Sequence, residues 1–118
     1  VFSSGVTIAL KSAHLAADVL TRQLKGEAVN WQREFEAPLK IGVETFRVFV
    51  EGWYDGSLQD VIYHPKRDRS ISRYICSVLA GYAWDESNPF VARGRQRLHA
   101  LAELCRSEAA AMDVPSAA

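Results

Sequence analysis

No stretch of this 118-residue chain is apolar for long enough to cross a bilayer, and no secretory leader is visible. Neither sign of charge dominates: fourteen lysines and arginines balance fourteen aspartates and glutamates. No net field therefore draws in nucleic acid or an anionic membrane. Cysteine is scarce. Cys76 and Cys105 fall in helix-like stretches without metal-ligand spacing, which speaks against a disulfide framework and predicts buried, reduced thiols of a cytoplasmic protein. The three histidines make no metal centre. His14 and His99 each have a carboxylate four residues on, Asp18 and Glu103, but such a pair supplies two ligands only, and all three histidines are expected to face solvent. No segment alternates with period two over a strand's length, so sheet is excluded and an all-α fold remains. Methionine occurs once, at Met112, and position 1 is valine, which leads us to expect that further sequence precedes this piece.

What is present is helical periodicity and enough apolar content, 48%, for a core. A first helix is predicted from about Gly5 to Leu24. It carries a polar stripe (Thr7, Lys11, His14, Asp18, Arg22, Lys25) opposite a small apolar face built on Val6, Ala9, Leu10, Ala13, Ala16, Ala17, Leu20 and Leu24. Alanines on that face allow close approach of another element, and Gly26 offers a stop. A second helix is expected from a cap at Asn30 to Tyr54, where Asp55-Gly56 breaks it, with Pro38 kinking or splitting it. Its apolar stripe runs from Trp31 and Phe35 through Phe46 and Phe49 to Trp53, while Asp18 on the first helix and Glu34, Glu36 and Glu44 on the second are read as solvated. A short helix over Ser57–Tyr63 and a polar loop His64–Arg69 follow. A third long helix is expected over Arg69–Ala83, burying Ile71, Ile75, Val78 and Leu79. Asn88 then caps a last helix opened by Pro89 and running to Ala111 through Leu98, Leu101, Leu104 and Cys105.

The opening residues, Val1-Phe2-Ser3-Ser4-Gly5-Val6, carry the most information. A hydroxyl-hydroxyl-glycine turn at a helix start aims unpaired N–H groups and the positive end of the helix dipole at whatever lies ahead. Two readings follow: an ordinary helix cap, or contact with a phosphate, a flavin or a halide. The stretch resembles the segment that closes over the flavin in flavin-dependent halogenases of the tryptophan halogenase superfamily and in related FAD monooxygenases. The spacing of Phe35, Gly42, Phe46, Phe49, Trp53 and Tyr54 is similar to the family's C-terminal aromatic helix. Ile75–Asp85 followed by Asn88-Pro89-Phe90 is similar to its later helix and turn.

The resemblance implies the C-terminal piece of an FAD-dependent halogenase or monooxygenase, an oxidoreductase fragment inactive by itself. Residues 1–26 would end the FAD-binding module, their helix facing the flavin, and 27–118 would form a C-terminal helical subdomain. Ser3, Ser4, Gly5 and Val6 become candidate flavin contacts, Ser4 and Gly5 candidate chloride or bromide contacts, and Phe46, Phe49, Trp53 and Tyr54 candidate walls of a substrate cavity. No catalytic residue and no metal ligand is implied here. Implied partners are an N-terminal FAD module, a reductase that supplies reduced FAD and a carrier protein presenting substrate to the Lys66-Arg67-Asp68-Arg69 loop; neither nucleic acid nor membrane is expected. The family's dinucleotide Gly-x-Gly-x-x-Gly, its Gly-Asp and its Trp-x-Trp-x-Ile-Pro are absent, and its catalytic lysine belongs upstream, so Lys11, Lys25, Lys40 and Lys66 do not take that role. A hydroxylase or reductase of the same superfamily, and a stand-alone helical interaction module, remain alternatives. Taken alone, the piece is expected to hold no FAD and to self-associate through its first helix.

Overall fold

The computed structural model describes residues 4–112, and among these the chain is all-α, without a strand. Six helices follow in order: α1 (Ser4–Leu24), α2 (Ala37–Tyr54), α3 (Ser57–Ile62), α4 (Arg69–Leu79), α5 (Pro89–Ala92) and α6 (Gly94–Met112). A π-helical turn, Gln32–Glu36, leads directly into α2. Its cause is local. Pro38 has no N–H to give, and the ladder adjusts by one residue just before it, the Ala37 N–H reaching the Gln32 carbonyl. The proline thus neither splits nor ends the helix.

α1 and α4 stop by the same device. Gly26 and Gly81 have φ of 85° and 102°. After each, the next N–H reaches back into the helix, Glu27 to the Arg22 carbonyl and Tyr82 to the Ser77 carbonyl. Glycine is needed there because a Cβ disfavours the left-handed backbone of this cap. For α4 this places the end at Leu79, four residues earlier than the periodicity suggests, and leaves Leu79 38% exposed.

α2 is the axis of the bundle, packing on α1, α3, α5 and α6, with α3 and α6 closely paired beneath it. Phe46, Phe49, Leu58, Val78, Phe90 and Leu98 form the heart of the core. Phe49 meets Phe90 edge to face at 6.1 Å between ring centres, a favoured aromatic geometry. The last helix is interrupted: Arg93 leaves helical geometry (φ −145°, ψ 43°), separating α5 from α6. Leu104, expected inside, is 59% exposed on α6.

Asn88 ties the turn to the bundle. Its buried side chain accepts from the Phe90 N–H at 3.0 Å and donates to the Tyr74 carbonyl at 2.9 Å. Asn88→Ala removes a helix cap and a buried hydrogen bond together, so urea unfolding should show a loss of about 2 kcal/mol. Asp68→Ala, which removes the exposed cap of α4 that accepts from Ser70 N–H, should cost only about half as much.

Candidate functional site

α1 is the element that carried the strongest sequence signal, and its placement is unusual. Ser4 is half-buried at its first position, while Gly5 and Val6 point into solvent. Ser3 lies outside the described residues. A Cβ built on Gly5 meets nothing within 4 Å, and the first turn contains no acidic residue. Among the described residues the start of α1 is therefore open to close approach, and no carboxylate of its first turn opposes an electron-rich group there.

α1 buries one apolar strip and leaves a second, broader one exposed. The inward side is a narrow strip of Ile8, Leu15 and Val19, the last 1% exposed; of the polar stripe, Lys11 and Arg22 lie at its edge, Lys11 Nζ 5.7 Å from the centre of the Trp84 ring, while His14, Asp18 and Lys25 are exposed. The broader apolar side faces out, with Val6 70%, Leu10 68% and Leu24 79% exposed, and Ala13, Ala17 and Leu20 exposed between them. Positions 6, 10, 13, 17, 20 and 24 alternate steps of four and three, a continuous seam along the helix. Nothing among the described residues covers it.

The base of α1 is fixed to the π turn. Arg22 pairs with Glu34, the Asn30 N–H donates to the same carboxylate at 2.9 Å, and Trp31 Nε1–H donates to Gln23 at 2.9 Å. Glu34 is thus a half-buried anchor, where a solvated position was expected. The Asn30 N–H, and after it the Arg22 guanidinium, hold its carboxyl below the ordinary carboxylate value of 4.5. A folded-state pKa below the unfolded one means stability that is present above about pH 4.5 and is lost as pH falls through the lowered value. Glu34→Gln should remove that portion of the acid sensitivity, visible as a flatter dependence of the urea midpoint on pH below 4.5.

Trp84 closes the other side of α1. Its Nε1–H donates to the Pro38 carbonyl at 3.0 Å, its ring lies against Gly42, and Phe46 meets it edge to face at 6.2 Å. A cleft of about 420 Å³ opens between α1 and this turn, lined by Thr7, Leu10, Lys11, His14, Tyr82 and Asp85 along with Gly81 and Trp84. A groove of about 450 Å³ runs between α2 and α5, past Lys40, Glu44, Val48 and Phe90.

The remaining candidates are dispersed. Phe46 and Phe49, 4% and 0% exposed, point into the core; Trp53 is half-buried and Tyr54 is 80% exposed. The four do not come together around any of the clefts described here. His14 and His99 face solvent as expected, but Asp18 pairs with Arg22 at 3.4 Å instead of with His14. His64 departs from expectation: its side chain is only 9% exposed, with Nε2 3.5 Å from Glu108. Cys76 is exposed, on the outer side of α4, against the expectation of burial, whereas burial pushes the half-buried Cys105 thiol up. Among the described residues no group of three or more His, Cys, Asp or Glu is placed to hold a metal, and no helix is long and apolar enough to cross a membrane.

No family model matches the chain, and no curated protein matches it. Among solved structures, the chain is similar to the flavoprotein/dehydrogenase from Cytophaga hutchinsonii: 44% of residues are identical over 92% of this chain, with a TM-score of 0.88, and the match spans 27% of that protein's length.

Proposed function

We propose that this chain is the C-terminal part of an FAD-dependent oxidoreductase, in which residues 1–26 end the FAD-binding module and 27–118 form a helical subdomain against it. The observation that carries the reading is the 44% identity, over nearly all of this chain, to roughly a quarter of a protein described as a flavoprotein/dehydrogenase. The uncovered apolar seam of α1 from Ala13 to Leu24 supports it, because a larger partner module gives that stretch a place to be buried. When bound, FAD supplies the redox chemistry. The chain's own contribution is the open start of α1, where Ser4, Gly5 and Val6, with Ser3 before them, approach the flavin and present N–H groups to its electron-rich edge. The halogenase branch is the finer form of this reading, with Ser4 and Gly5 holding chloride or bromide; a reductase or dehydrogenase without halide is the second reading, favoured by the description of the Cytophaga protein. Trp53 and Tyr54 remain the candidates for contact with substrate, since they alone of the four aromatics reach the surface.

The test uses the full-length protein and Gly5→Val. Among the described residues no other part of the fold lies within 4 Å of the added Cβ, so the 118-residue chain should unfold at an unchanged urea concentration. In the full-length protein the same change should lower FAD occupancy, read from the flavin absorbance of the purified protein, by about tenfold or more. A colourless full-length protein that takes up no FAD overturns the reading. Products formed with and without chloride or bromide separate the halogenase from the second reading.

A further inference from the structure

We propose that the cleft between α1 and the Gly81–Asp85 turn is a binding site for the carboxylate of an aromatic or similarly apolar organic acid. It is an open surface cleft of about 420 Å³, wide enough for a small ring. Two of its walls are apolar and open: Leu10 is 68% exposed and Tyr82 65%. A third is the Trp84 indole, held in place by its own hydrogen bond to Pro38 and by Gly42 beneath it. That indole is a rigid support that holds Lys11 over its face, so the apolar part of a ligand meets Leu10 and Tyr82 and its charged part meets Lys11.

The polar groups of the cleft point to an acid. Lys11 lies over Trp84 and forms no ion pair among the described residues. His14 faces solvent, its neighbour Asp18 being engaged by Arg22. The single carboxylate in the lining, Asp85, accepts from both the N–H and the hydroxyl of Ser87, at 3.0 and 2.6 Å. Both bonds fall on Oδ1, so Asp85 keeps one oxygen and its charge, and the preference for an acid rests on Lys11, the cation of the cleft, with Asp85 opposing it. An amine would have to displace Lys11 from the indole face, whereas a carboxylate pairs with Lys11 where it stands.

Lys11 is seven residues along α1 from Ser4, about 10 Å at the helical rise. That such a ligand is the substrate of the flavin enzyme rests on the function proposed above; the binding itself does not, and it is measured here without flavin. The experiment titrates the ¹⁵N-labelled 118-residue chain with three probes of similar size: phenylacetate, phenylacetamide and phenethylamine. Phenylacetate should shift the Gly81 and Tyr82 amides and the Trp84 indole N–H saturably in the millimolar range, about tenfold more tightly than the amide. Lys11→Gln should bring the acid down to the affinity of the amide, Lys11→Arg should retain the preference, and Asp85→Asn should tighten the acid. Equal binding of acid and amide, tighter binding of the amine, or no saturable shift at these three positions overturns the proposal. Absence of flavin in the full-length protein would leave a positive titration standing and would remove only the link to flavin chemistry.

Discussion

Gly42→Ala should lower the stability of the chain by about 2–3 kcal/mol, although in an exposed helix the same change is worth up to about 1 kcal/mol in the opposite direction. The Cβ would stand 2.1 Å from Trp84 Cε2 and 2.2 Å from Cζ2. These are atoms of a rigid ring, so the indole must leave as a unit. In leaving, it gives up the hydrogen bond to the Pro38 carbonyl, the edge contact with Phe46 and the cover of Lys11. Overpacking of a filled core costs about 1–3 kcal/mol and a buried hydrogen bond about 1, which together outweigh the gain in helix propensity. Urea unfolding of the two chains gives the difference, and the tryptophan emission of folded Gly42→Ala should move to longer wavelength as Trp84 meets water. Gly5→Ala is the control of opposite sign: with nothing within 4 Å of its Cβ, it should leave the chain as stable or slightly more so. An unchanged midpoint for Gly42→Ala would mean that Trp84 is not the fixed wall described above.

That pairing marks the limit of what was legible in the sequence. Helix starts and stops could be read from local chemistry: Gly26 ends α1, Asn88 and Pro89 open α5, and Asp55-Gly56 separates α2 from α3. The all-α class followed from the same periodicities. Gly42 and Trp84 each stood out in the sequence, yet nothing local says that they touch across a gap of 42 residues. The early stop of α4 follows from the left-handed cap at Gly81, which overrode an apolar pattern running on to Ala83. The burial of His64 comes from its neighbours in space, α6 among them, and cannot be read from the loop's polar composition. For the candidate site, periodicity found the apolar face of α1 that stays outside but missed the strip of Ile8, Leu15 and Val19 that packs inward. Which face packs depends on what stands opposite it, and here that strip is flanked by Lys11 and Arg22, which found Trp84 and Glu34.

Charging the outward seam of α1 should have opposite effects on the piece and on the whole, and this is the sharpest consequence of leaving an apolar face outside. The double change Leu20→Glu with Leu24→Lys alters two side chains that are 47% and 79% exposed, so the stability of the 118-residue chain should move by no more than about 0.5 kcal/mol. Its self-association, expected from the uncovered seam, should weaken by tenfold or more in sedimentation, since each leucine withdrawn from water is worth about 1.5–3 kcal/mol. In the full-length protein the same seam is expected against the FAD module. There the two changes forfeit that burial and place charges in an apolar contact, at several kcal/mol more, so the protein should be recovered without FAD or not fold at all. If the unaltered chain sediments as a clean monomer at high concentration, the seam is not adhesive on its own. If, in addition, the charged full-length protein keeps its FAD, the seam is an exposed surface in the whole protein too, and the packing of α1 against an FAD module must be given up.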